Sequence, residues 1–180
     1  MIVRRRQATA ALVVAALLTS GCGSPATPPT PDPTASSSSP IDDDAAAFAA
    51  AEATYRAYVD ALNAVDLSNP ATFEPVYALT TGDLEATDRE GLESYHADGV
   101  TVTGSSVIEL IQPVAVTAEG EVELAVCLNV DAVVVLDSDG SSLVSPDRVS
   151  VQSLLVSVAG ATRAVPEVSR IAGREGAPAC

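Results

Sequence analysis

Lysine and tryptophan are absent from these 180 residues, histidine occurs once, and the aromatic complement is two Phe and four Tyr. Without Lys, all nine positive charges are Arg, set against 24 carboxylates for a net charge of −15. A chain of that sign repels phosphate backbones and anionic lipid, so it is not expected to bind nucleic acid. With so few rings available, Val, Leu and Ile must fill the interior. The longest apolar stretch, Ala8 to Leu18, has 11 residues, about half of the roughly 20 a membrane-crossing helix needs. Asp137-Ser138-Asp139-Gly140 lacks the D-x-D-x-D-G spacing of a calcium loop and reads as a hairpin turn, with Gly where a positive φ is needed.

What is present begins with an address. Arg4, Arg5 and Arg6 precede the apolar stretch, and Leu18-Thr19-Ser20-Gly21-Cys22 follows it. Charge, short apolar run and small residues in register describe a signal peptide over 1–21. The last five residues resemble the bacterial lipobox, in which the cysteine is acylated; Thr19 departs from the Leu usual at that place. The resemblance implies a lipid-anchored protein on the outer face of the cell membrane, with Cys22 carrying at least two acyl chains. Two chains hold a protein stably where one does not. Loss of Arg4 to Arg6 with the leader takes the net charge from −15 to −18. The lipid is therefore the expected membrane link.

From Gly23 to Pro40 the sequence holds six Pro, five Ser and three Thr in 18 residues. Such a segment cannot bury a core. It is expected to be a disordered tether, so that lipidated Cys and tether together span 22–40. The 140 residues of 41–180 suffice for one domain and not for two lobes.

Asp42 to Asp44 place N-cap chemistry before an Ala-rich run. Phe48, Ala51, Tyr55, Tyr58, Val59, Leu62 and Val65 follow at the spacing of one helix face, predicting a helix over 43–65. Tyr55, Val59 and Leu62 are expected to form its contact with the sheet, with Glu52 and Arg56 on the other side. A short helix near Thr72, with Pro75 in its first turn, turns Phe73, Val76 and Tyr77 inward. A third helix is expected from Thr87, with Glu90 at capping-box spacing, to a stop at Gly99. Beyond Gly99 the period falls to 2. Strands are predicted at 100–103, 108–116, 121–136, 149–158 and 165–171, the longest with every even residue from Val122 to Leu136 apolar. The fold class expected is α+β, N-terminal helices packed on an antiparallel sheet.

Helices followed by antiparallel strands resemble the nuclear transport factor 2-like superfamily, which implies a cone-shaped domain with a curved sheet. TYRAYVDALNAVDLSNPATFEPVYALTTGD and HADGVTVTGSS are similar to small lipoproteins of GC-rich Gram-positive bacteria that carry such a domain. The superfamily holds enzymes and assembly domains alike, so the fold leaves function open. An enzyme of this kind would line its cone with Tyr, His or carboxylate; Tyr55, Tyr58, Tyr77, Tyr95 and His96 are the candidates, and Asp131 is expected to face outward. None matches a catalytic motif, and no cofactor is expected. Each has an ordinary role available: the tyrosines sit at core spacing, and His96 can stabilise a helix C-terminus. The leading expectation is a non-enzymatic binding or assembly module, the alternative a binder of a small apolar ligand or a lyase or isomerase. With Cys22 acylated, Cys127 and Cys180 remain in an oxidising compartment and are expected to form a disulfide. One His beside oxidised cysteines makes no zinc site.

Overall fold

The computed structural model describes residues 40–162 and 165–180; the expected signal peptide, Cys22 and the expected tether up to residue 39 lie outside the described residues. Helix α1 (Pro40–Asn63) starts three residues before the expected Asp43. Proline suits a first helical position, where its missing N–H would have no partner. The helix turns Ala47, Ala51, Tyr55, Tyr58 and Val59 inward, all buried. Glu52 and Arg56 pair on the outside at 2.8 Å. Leu62 is not part of the core: it is 36% exposed. Helical spacing puts it on the inward face, but the last turn of α1 runs out over a groove rather than over packed strands.

A 3-10 turn (Pro70–Thr72) leads into the single turn of α2 (Glu74–Tyr77), which buries Phe73, Val76 and Tyr77 as their spacing predicts. Helix α3 (Gly82–Ala97) begins five residues before Thr87, so the capping box does not form. The Thr87 hydroxyl donates instead to the Asp83 carbonyl one turn back, at 2.8 Å. What sets the true start is tertiary. The Val168 N–H donates to the Leu79 carbonyl and the Thr81 N–H to the Val168 carbonyl, which keeps the chain extended up to Thr81. The helix ends as predicted at Gly99, whose φ is +68°. There the Gly99 N–H bonds the His96 carbonyl and the Val100 N–H the Tyr95 carbonyl, the paired bonds of a Schellman cap.

Four strands, β2 (Val107–Val116), β3 (Val122–Asn129), β5 (Val151–Ala159) and β6 (Glu167–Gly173), form an antiparallel sheet in the order β2-β3-β5-β6. A separate ribbon joins β1 (Thr101–Thr103) to β4 (Val134–Leu136). Helix α1 lies against all four strands of the larger sheet, giving an α+β domain. Its core meets the helix at Val122, Leu124, Val126, Val156, Val158 and Val168.

The long apolar alternation of 121–136 is therefore two strands in two sheets. The break is local: the Asp131 N–H donates to Asn129 Oδ1, an Asx turn, and the Val133 N–H closes on the Val130 carbonyl. Asp131 is exposed, as expected, and accepts a hydrogen bond from the Ser150 hydroxyl. Gly104 (φ +80°) passes so close to this bend that a Cβ would meet the Ala132 carbonyl oxygen at 1.9 Å. Strands β5 and β6 start two residues later than predicted; Val149 and Val165, expected within them, are 64% and 74% exposed.

On the outer face Ala125 and Cys127 are buried although they alternate with the core residues. The C-terminal segment covers them. The Arg174 N–H bonds the Ser153 carbonyl, Ser153 lies opposite Cys127 across the β3–β5 pair, and Cys127 and Cys180 are joined with an S–S distance of 2.04 Å. Arg174 stiffens the strap by donating to the Gly176 and Pro178 carbonyls.

Candidate functional site

Three adjoining cavities form a groove at the C-terminal end of α1. The innermost, about 140 Å³, lies between Tyr55, Tyr58 and Leu62 of the helix and Leu128, Gln152, Leu154 and Ile171 of the sheet. Leu62 and Ser106 pass into a second crevice of about 200 Å³, walled by Val65, Leu92, Tyr95, Val102 and Val133. Val65, Leu67 and Val102 continue into a cleft of about 610 Å³ with His96 and Asp66 at its side. Asn63 fixes the wall, its amide donating to the Ser106 carbonyl and accepting from the Ser106 N–H, both at 2.9 Å. Leu62, Tyr95 and Val102 are 36%, 42% and 43% exposed, leaving an apolar rim facing water.

The five residues singled out from the sequence do not converge on one interior pocket. Tyr55 and Tyr58 share the innermost crevice, with ring centroids 6.2 Å apart. Tyr95 lies in the second, and His96 borders the outer cleft. Tyr77 stands apart, edge-on to Phe73 and beneath the Arg89 guanidinium, 4.0 Å from its centroid; its buried hydroxyl has no hydrogen-bond partner among the described residues. His96 Nδ1 is 2.6 Å from the Leu67 carbonyl. A carbonyl only accepts, so Nδ1 carries the proton and Nε2 of the neutral ring is left as an acceptor. This bond ties the end of α3 to the 65–68 segment.

A residue the sequence reading passed over is Asp88. The Tyr58 hydroxyl donates to its Oδ2 at 3.0 Å. Burial raises the Asp88 carboxyl above the usual range, against the opposing pull of the Tyr58 hydrogen bond. Tyr58 is itself raised, first by burial and then by the charge of Asp88, while burial alone pushes Tyr55 up to about 12. Burial thus disfavours the charged form of each, and a phenol held so high is a poor base at neutral pH. The signal for Asp88 was in the sequence: it stands midway between Leu84 and Leu92, a carboxylate on the helix face that turns inward.

A carboxyl raised in the fold contributes stability while protonated, and that contribution is lost as pH climbs through its folded-state value. Asp88→Asn keeps an acceptor for Tyr58 but does not ionise. It is expected to gain on the wild type as pH rises from about 3 to about 7, measured as urea midpoints of the two chains. A constant difference across that range would show that Asp88 carries no burial cost.

Asp66 has the opposite bias. Its Oδ1 accepts from both the Ser68 hydroxyl and the Ser68 N–H, at 2.7 and 2.9 Å, and these bonds hold its carboxyl below the usual range. The outer cleft thus has a fixed negative charge at its side, and among the described residues no arginine lines it.

No family model matches the chain, and no curated protein does. Among solved structures it is similar to a de novo designed β-sheet protein determined by solution NMR, with 12% identity over 78% of this chain and 95% of that one, at a TM-score of 0.29.

Proposed function

We propose that the chain is an exported lipoprotein, anchored through acylated Cys22, whose domain is a non-enzymatic binding or assembly module of the nuclear transport factor 2-like kind. The observation that carries the binding reading is the division of apolar surface. The space beneath α1 is filled by Tyr55, Leu124 and the surrounding valines, leaving about 140 Å³ there, whereas the larger cleft of about 610 Å³ lies at the outer end of the groove. Leu62, Tyr95 and Val102, all partly exposed, stand together at the mouth instead, where a protein surface can cover them. The fold reading is supported by the element order, by α1 lying across the larger sheet, and by irregularities in β2 at Ile108/Leu110 and Pro113/Ala115, which bend strands. The lipobox-like Cys22, the short apolar leader and the Pro/Ser segment support the anchor.

Two arms test this in the native host. Cys22→Ala is expected to release the chain from membranes or leave it as an uncleaved precursor, with the domain still folded. A trimmed Cys22→Ala chain that stays on the membrane overturns the anchor. In the anchored protein, a photo-crosslinker at Leu62 is expected to give a discrete protein adduct that the same group at Glu52, on the opposite face, does not. Equal labelling from both positions overturns the binding face.

A further inference from the structure

The outer cleft is bordered by consecutive residues on both sides: 65–68 on one wall and 99–102 on the other. Side chains alternate along a strand, so a cavity against a sheet face touches every second residue. One that touches each in turn lies along the backbone edge. Beta1 has such an edge free, since among the described residues it pairs only with β4.

The register shows which groups are exposed there. Val135 faces Val102, and Thr101 and Thr103 face Leu136 and Val134. The Val135 carbonyl accepts from the Leu143 N–H, so the Val135 backbone points away from β1. Val134 and Leu136 must then make the ladder bonds to Thr103 and Thr101. The N–H and C=O of Val102 are left pointing outward, and the same residue borders both the outer cleft and the apolar crevice beside it.

The other edges of the domain are treated differently. Beta6 is covered where Val168 exchanges bonds with Leu79 and Thr81. Beta2 carries Pro113, which has no N–H, and two irregularities of register, features that deter pairing. Val102 has neither defence and lies in a slot.

We infer that this slot is a strand-addition site for an extended peptide segment of another protein, one that alternates apolar and cationic side chains. This deepens the binding-module reading and rests on it. The free Val102 groups pair with the peptide backbone. The crevice of Val65, Leu92 and Tyr95 takes an apolar side chain, and Asp66 favours Lys or Arg beside it. The three residues of β1 span about 10 Å at ~3.3 Å each, which sets the length of the recognised core. The net charge of −15 draws cationic segments from a distance.

The test uses the ¹⁵N-labelled full chain and the blocked peptide acetyl-Arg-Val-Thr-Val-Arg-amide, followed by amide shifts. Saturable shifts are expected at Val102, Gly99 and 65–68, with slowed hydrogen exchange of the Val102 N–H. N-methylation of the peptide's Thr removes one backbone bond and should weaken binding about tenfold. The Glu-for-Arg twin should bind more weakly still. Asp66→Asn, which keeps the acceptor for Ser68, should weaken the Arg peptide several-fold and reduce its salt dependence. Shifts centred on β2, indifference to N-methylation, or no saturation overturns the slot. So do concentration-dependent shifts at Val102 without peptide, which would mark a second copy of the chain as the occupant. Failure here with the Leu62 adduct intact sinks the slot alone; loss of the Leu62 adduct sinks the reading beneath it.

Discussion

Leu124→Ala is expected to destabilise the domain by about 2–5 kcal/mol, and Leu62→Ala by less than about 1 kcal/mol. Leu124 is 1% exposed and lies between Pro113 on β2 and Val156 on β5, directly beneath α1. Removing three carbons there forfeits their transfer free energy and leaves a void that neighbouring strands, fixed by their ladders, cannot close. Leu62 is 36% exposed at the groove mouth, so truncation uncovers little that water does not already reach. Tyr55→Ala, at 1% exposure, belongs with Leu124 and should cost about 3–5 kcal/mol. Urea unfolding of the three variants measures the contrast. Similar losses at Leu62 and Leu124 would mean that the groove is closed in solution and that the final turn of α1 is packed.

The same contrast shows where the sequence is legible. Hydrophobic period reports a face, and it located α1, α2 and β3, while Gly99 marked the end of α3, because each is decided by neighbours along the chain. It does not report where a helix outruns the sheet, which is why Leu62 reads as core. The even positions also stay apolar through 122–136, which hides the bend between β3 and β4, although in β4 it is Val135 that packs against the core and Val134 is 42% exposed. Asn129, an Asx-turn residue followed two places later by Asp131, and the unbroken apolar run from Val133 to Leu136 mark the change. The start of α3 is less legible still. Thr87 with Glu90 has the spacing of a cap, but Val168, some 80 residues further on, bridges to Thr80, holds Thr81 extended and so sets the start.

The candidate site divides in the same way. Tyr95 and His96 are visible from their place at a helix end, and both border the groove. Asp88 is visible only as a carboxylate on an apolar stripe. The free edge at Val102 cannot be read from side chains, because it consists of backbone groups and depends on which way Val135 turns. Val102-Thr103-Gly104 signals a strand end and nothing more. The chemistry proposed for the groove is therefore carried largely by main chain, and fold-level resemblance could not have located it.

Losing the Cys127–Cys180 bond is expected to cost about as much as the core truncations. The bridge joins residues 53 apart, and in the chain-entropy description a loop of that length is worth ~4 kcal/mol to the folded state. The two cysteines differ in what else they do. Cys180 is exposed, so Cys180→Ser removes the bond and almost nothing more. Cys127 is 3% exposed beneath the strap, so Cys127→Ser also places a hydroxyl where a sulfur was and costs about 1–3 kcal/mol more if that hydroxyl finds no partner. The wild type under a dithiol reductant should match Cys180→Ser, and in both the amides of 174–180 should exchange faster, because the strap then hangs on Arg174 alone. The outer face beneath it, Ala125 above all, should become accessible, whereas the amides of β3 that face β5 should keep their protection. Denaturant unfolding with and without reductant, alongside alkylation of the unreduced protein, checks each step. Free alkylation of both cysteines, or reductant-independent stability, would show that the strap is held by its backbone and by Arg174 rather than by the bond.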